Sequence, residues 1–207
     1  MLKTLERFEV GPPLLHWEGI LRQWTFMNKE IFNSSNSKIA PYSFRERPNI
    51  SVMAGAAIKA GWVALEECWS EKKSQSKESG IYGGRADLIL WRGDIRENIE
   101  AKFTCDSFLA LEKKCKDRHN DAKTDASKLK PPVKGNNIAL TFIVPRLVKS
   151  ELNSFESNAL VLMRHCLDLK PDIFGAIFPG WVERQTSDRN DKEKGSVGII
   201  VIGNVVK

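Results

Sequence analysis

The chain has 207 residues, 42% of them hydrophobic and 28% charged, which excludes a disordered or low-complexity protein and leaves room for one substantial core. Its 32 basic and 26 acidic residues give a net charge of +6. That balance suits a polyanionic partner and argues against a protein built to bind basic molecules.

The N-terminal segment closes at Gly11-Pro12-Pro13, and residues 16–32 then read as a helix, with Trp17, Ile20, Leu21, Trp24, Met27 and Ile31 at helical spacing. Trp17 and Trp24 are either packed on their own core or a surface for a homodimer. Residues 33–49 form a polar connector in which Pro41 and Pro48 act as helix breakers. A second helix is expected over residues 51–71, opened by Ser51 and rich in Ala, Val and Leu. A polar loop follows over residues 72–80. Residues 81–91 and 95–104 read as a β-hairpin around the turn Arg92-Gly93-Asp94. Residues 107–127 are a highly charged helix, 138–145 a buried β-branched strand, and 150–169 an amphipathic helix with Leu152, Phe155, Ala159, Leu162, Met163 and Cys166 on one face. Two strands, 173–182 and 196–206, flank the polar loop 183–194.

This order predicts an α/β domain with helices packed on a central sheet. It divides the chain into an N-terminal helical extension and connector (1–50) and a main domain (51–207). The longest apolar runs, 138–145 and 197–203, are far shorter than the roughly 20 residues of a spanning helix. Glu6 and Glu9 interrupt any leader-like segment, and the four cysteines include no C-x-x-C pair. A cytoplasmic location with reduced thiols is the expectation.

The chemistry concentrates in the hairpin. Side chains of a strand alternate faces, so Glu100 and Lys102 emerge together, and pairing brings Asp87 beside them. Of three Glu-x-Lys sequences in the chain, only Glu100-Ala101-Lys102 interrupts an apolar strand. Charges placed in a sheet cost several kcal/mol unless paired or bound to metal. Two carboxylates and an ammonium suit phosphodiester hydrolysis. Asp87 and Glu100, with the Ala101 carbonyl, offer hard oxygen ligands to Mg²⁺, which acidifies water and neutralises phosphate charge. Lys102 orients the nucleophile and stabilises developing negative charge. A structural salt bridge is the competing explanation.

Asp87 followed by Glu100-Ala101-Lys102 in an α-β-β-α-β order, over residues 51–145, resembles the PD-(D/E)XK nuclease superfamily, the restriction-endonuclease-like fold; Ala86 stands where the name-giving motif has proline. The resemblance implies Mg²⁺-dependent cleavage of nucleic acid (with Mn²⁺ as a substitute) to leave a 5′-phosphate. It points to a restriction-type or defence-associated endonuclease acting on double-stranded DNA, with a homodimer as the expected assembly. The alternatives are a junction-resolving or repair nuclease, an RNA-cleaving toxin, or a non-catalytic nucleic-acid-binding subunit. It also implies a further carboxylate on the preceding helix, for which Glu67, on the small apolar face of the expected 51–71 helix, is favoured over Glu66 as a metal or water ligand.

Arg85, two residues before Asp87, is placed to steady a phosphate. Lys113, Lys114, Lys116, Arg118 and Lys123 on the helix after Lys102 form a candidate phosphate-tracking face; internal i,i+4 pairing is the rival account. Arg45, Arg47 and Tyr42 in the connector are further candidates for DNA contact. Cys115 and His119 have the spacing of half a zinc site, but no second half accompanies them.

Overall fold

The computed structural model describes residues 4–73, 81–183 and 194–206. Strand β1 (Leu5–Val10) leads through a 3₁₀ turn into α1 (Glu18–Ser34) and α2 (Glu46–Lys59). Three strands follow, β2 (Val63–Lys73), β3 (Ile81–Arg92) and β4 (Ile95–Ser107), then α3 (Phe108–Lys128) and β5 (Gly135–Val148). The chain continues with α4 (Phe155–Asp168), β6 (Ile173–Phe178), the short β7 (Val182–Glu183) and β8 (Lys194–Ser196), and β9 (Ile199–Val206). The main sheet runs β1-β6-β9-β5-β4-β3-β2, with β8 also pairing to β5 and β7. All its pairings are antiparallel except β4–β5, which α3 connects as a parallel crossover.

Helices cover both faces. Ile138, Leu140, Phe142 and Val144 of β5 enter the core formed with α1 and α2, and Ile143 enters the second core beneath α3 and α4. This alternation explains why the strand reads as an unbroken apolar run. Phe142 is fully buried in the middle of the sheet. Phe142→Ala is expected to destabilise the protein by about 3–5 kcal/mol, read as a fall in the urea midpoint at unchanged slope.

Five sequence expectations are corrected. The helix placed at 51–71 is instead α2 followed by β2. The helix stops because Gly61 takes a left-handed φ of 84° and the amide of Trp62 closes on the Ala57 carbonyl at 3.0 Å, the arrangement of a glycine-ended helix. Pro48, read as a breaker, lies in the first turn of α2, where its missing N–H costs nothing. Ser51, read as a cap, is inside α2 and donates its hydroxyl to Glu66 at 3.0 Å. Trp17 and Trp24 are fully buried against their own core and offer no surface to a second copy. A division at residue 50 falls within α2. Among the described residues no helix is long and apolar enough to cross a membrane.

Candidate active site

The hairpin forms around Gly93, whose φ of 61° suits the tight turn. From there β3 and β4 pair as far as Leu88 opposite Ile99 and no further. One step on, Asp87 and Glu100 would meet, and there the strands part. Asp87 replaces the missing ladder bond: its Oδ2 accepts the Ala101 amide at 2.7 Å. β2 kinks at the same level. Its ladder with β3 skips Glu67–Asp87 between Glu66–Leu88 and Cys68–Ala86, and Glu67 takes a left-handed φ of 53°. That backbone costs a non-glycine residue about 1–2 kcal/mol.

Beyond the fork the distal half of the β2–β3 hairpin reaches the segment after α3. Lys72 bridges to Leu129, and the Lys130 amide donates to the Glu71 carbonyl at 2.9 Å. This carries the Lys72 ammonium over the sheet face to 2.7 Å from Glu100 Oε1. Glu100 is only 4% exposed, and the Lys72 ammonium is the partner of its Oε1.

Burial holds the carboxyls of both Asp87 and Glu100 above the ordinary carboxylate range. Each also raises or is raised by a neighbouring carboxylate, Glu100 by Asp87 and Asp87 by Glu67, while Lys72 and Lys102 work in the opposite direction. Burial works against the Lys102 ammonium too, but Asp125 on α3, together with Asp87 and Glu46, outweighs it and raises its pKa. The two are 2.6 Å apart, and Asp125 also accepts from Lys128 at 2.7 Å.

On the preceding helix, Glu46 in the first turn of α2 lies within electrostatic reach of this cluster. Burial raises its pKa, and so does the negative charge of Asp87; Lys102 and Arg118 oppose the shift. Sequence reasoning missed Glu46 because it began the helix five residues late. The available signal was an acidic residue two positions before Pro48, a usual composition for a first helical turn.

Glu66 and Glu67, expected on a helix, are on β2. Glu66 is exposed and bonded to Ser51. Glu67 is at the mouth of the cluster, 3.3 Å from Arg47 and 3.8 Å from Arg85. Tyr42 is fully buried, with its hydroxyl donating to the Gly180 carbonyl at 3.2 Å, so it meets no ligand.

The basic residues of α3 do not form one face towards the cluster. Lys113 and Lys116 are exposed. Lys114 pairs with Asp106, and Arg118 with Asp121. Arg118 is near enough for its charge to act on Glu46, whereas Lys123 lines a separate groove with Asp172 and Asn204.

Among the described residues no group of three or more His, Cys, Asp or Glu converges closely enough to hold an ion by itself. Mg²⁺ typically uses one or two carboxylates and keeps several waters. Two buried carboxylates, with Asp87 raising the proton affinity of Glu100, fit that requirement. Comparison with family models, curated proteins and solved structures gives no match for this chain.

Proposed function

We propose that this chain is a Mg²⁺-dependent nuclease of the restriction-endonuclease-like kind that hydrolyses phosphodiester bonds in DNA. The observation that carries the reading is the fork, where Asp87, Glu100 and Lys102 from two parting strands meet Glu46 from α2. The order of α2, β2, β3, β4, α3 and β5 supports it, as an α-β-β-β-α-β unit around the fork. So does the left-handed Glu67 backbone, since strain of that kind gathers at functional sites.

Asp87 and Glu100 would hold the ion, with the Ala101 carbonyl beside them. Bound there, the ion supplies Lewis acidity towards the phosphate. Lys102, held by Asp125, fixes a positive charge beside the reacting phosphate. Glu46 accepts a proton or orients water from the helix side; its raised pKa strengthens it as a proton acceptor. Arg85 and Arg47 border the mouth, where they meet the flanking phosphates.

A second reading has its own support. Lys102–Asp125 and Lys72–Glu100 already satisfy one another, as they would in a non-catalytic subunit that keeps the network for stability. Purified protein incubated with plasmid and Mg²⁺, with the Asp87→Asn variant in parallel, separates the two readings.

Metal also leaves a trace without turnover. Mg²⁺ or Mn²⁺ is expected to raise the melting temperature of the wild type and not of Asp87→Asn. The raised carboxyl pKa values mean that protons compete for the site. The shift should therefore shrink as pH falls, measured by thermal melting across a pH series.

A further inference from the structure

A cleft of about 410 Å³ opens beside the fork on the same sheet face as Glu100. Its floor includes Asn98, two residues before Glu100 on β4, a step of about 7 Å along a strand. Its walls carry two tryptophans. Trp69 on β2 is 66% exposed and Trp91 on β3 is 46% exposed, whereas Trp17, Trp24 and Trp62 are buried. Exposing two indoles in one concavity costs solvation that a core position would recover. Each also presents a flat face of the kind on which bases stack.

The polar lining is cationic where it is not spent internally. The Arg96 guanidinium stands 5.9 Å from the Trp91 ring centre and is fixed by a 2.8 Å bond to Asn98 Oδ1. Lys130 and Lys134 stand at the rim, paired to Glu71 and Asp94. The walls are held in place, because the backbone contacts of Lys72 and Glu71 with Leu129 and Lys130 tie β2 to the far side.

We infer that this cleft receives an unpaired nucleobase of the substrate, stacked on Trp69, with Trp91 and Arg96 lining the same concavity. The inference rests on the nuclease reading and narrows it. The preferred substrate is a strand carrying an unpaired nucleotide next to the cut, as in a flap, junction or single strand, rather than uninterrupted duplex.

The test measures binding in EDTA, where nothing is cut. A fluorescein-labelled oligothymidylate and a blunt duplex annealed from two complementary strands are titrated by anisotropy against wild type, Trp69→Ala and Trp69→Phe. Base–aromatic stacking contributes about 1–3 kcal/mol per base, so Trp69→Ala should weaken single-strand binding at least about fivefold and leave duplex binding nearly unchanged. Trp69→Phe should retain most of the affinity. Equal single-strand affinity in wild type and Trp69→Ala overturns the inference, as does an equal loss for single strand and duplex.

Failure of the parent reading looks different. Trp69-dependent single-strand binding by a protein that cuts no substrate with Mg²⁺ upholds the cleft and removes the nuclease. Cleavage that requires Asp87 but is indifferent to Trp69 on flapped and blunt substrates upholds the nuclease and removes the cleft.

Discussion

Asp87→Asn is expected to abolish Mg²⁺-dependent cleavage while leaving the fold intact. The native carboxylate does two things at once. It accepts the Ala101 amide, which closes the end of the β3–β4 ladder, and it supplies anionic charge at the fork. Asparagine keeps an acceptor oxygen for the amide, so the structural bond survives and only the charge goes. Removing one electrostatic element of such a site costs about 10²–10³ in rate, and losing an ion ligand should reach the upper part of that range. Lys102→Met should give a comparable loss. It also leaves Asp125 with Lys128 as its cation, so stability should fall only slightly. Plasmid nicking and linearisation on gels, beside circular dichroism and urea melts, supply both readouts. Full cleavage by both variants would establish the network as structural and remove the nuclease reading.

The second large effect is a loss of stability on mild acidification, traced to His119. This histidine, on α3 and 2% exposed, faces β5 and β9. Asn204 donates its amide to the Lys170 carbonyl at 3.2 Å and to Asp172 at 3.1 Å. Its oxygen therefore turns towards His119, and the 2.7 Å contact makes Nε2 the donor. Nδ1 is then left to accept the Thr141 hydroxyl at 3.0 Å. Burial pushes the imidazole pKa down from 6.5 to about 4, and the Lys123 charge adds to this, against the opposing Asn204 contact.

The folded chain thus stays neutral at His119 while the unfolded chain takes up a proton. Stability should be lost as pH falls from 6.5 towards 4, by roughly 3 kcal/mol in all. The raised carboxyls of Glu46, Asp87 and Glu100 act with the opposite sign: the folded state binds their protons more readily, so acidification favours it. The comparison with His119→Gln isolates the histidine. Its urea-derived stability should be lower at neutral pH and should fall less over the acid range. A variant with the same pH slope as wild type would show that His119 is not the group responsible.

Elements with one dominant local signal were legible along the chain. The β3–β4 hairpin, with Gly93 at its turn, lies where the pattern put it, as do the charged helix α3 and the apolar strand β5. So does the pairing of Glu100 with Lys102 on one face, because strand alternation is a property of the backbone. The segment from residue 46 to 73 was misread. Ala, Val and Leu suit a helix in isolation, and the glycine that ends it counted for less than the run around it. The helix carboxylate follows from that boundary: the pattern points to Glu67, which lies on β2, whereas Glu46 opens α2.

The amino-acid order by itself determined an α/β protein with charges lodged in one strand pair, since hydrophobic period and turn residues act over a few neighbours. Only the tertiary structure decided which groups share that place. Lys72, Asp125 and Glu46 arrive from a kinked hairpin, a crossover helix and the start of α2. Their meeting depends on where β3 leaves β4. Strand separation is settled by packing between distant segments, and no local pattern encodes it.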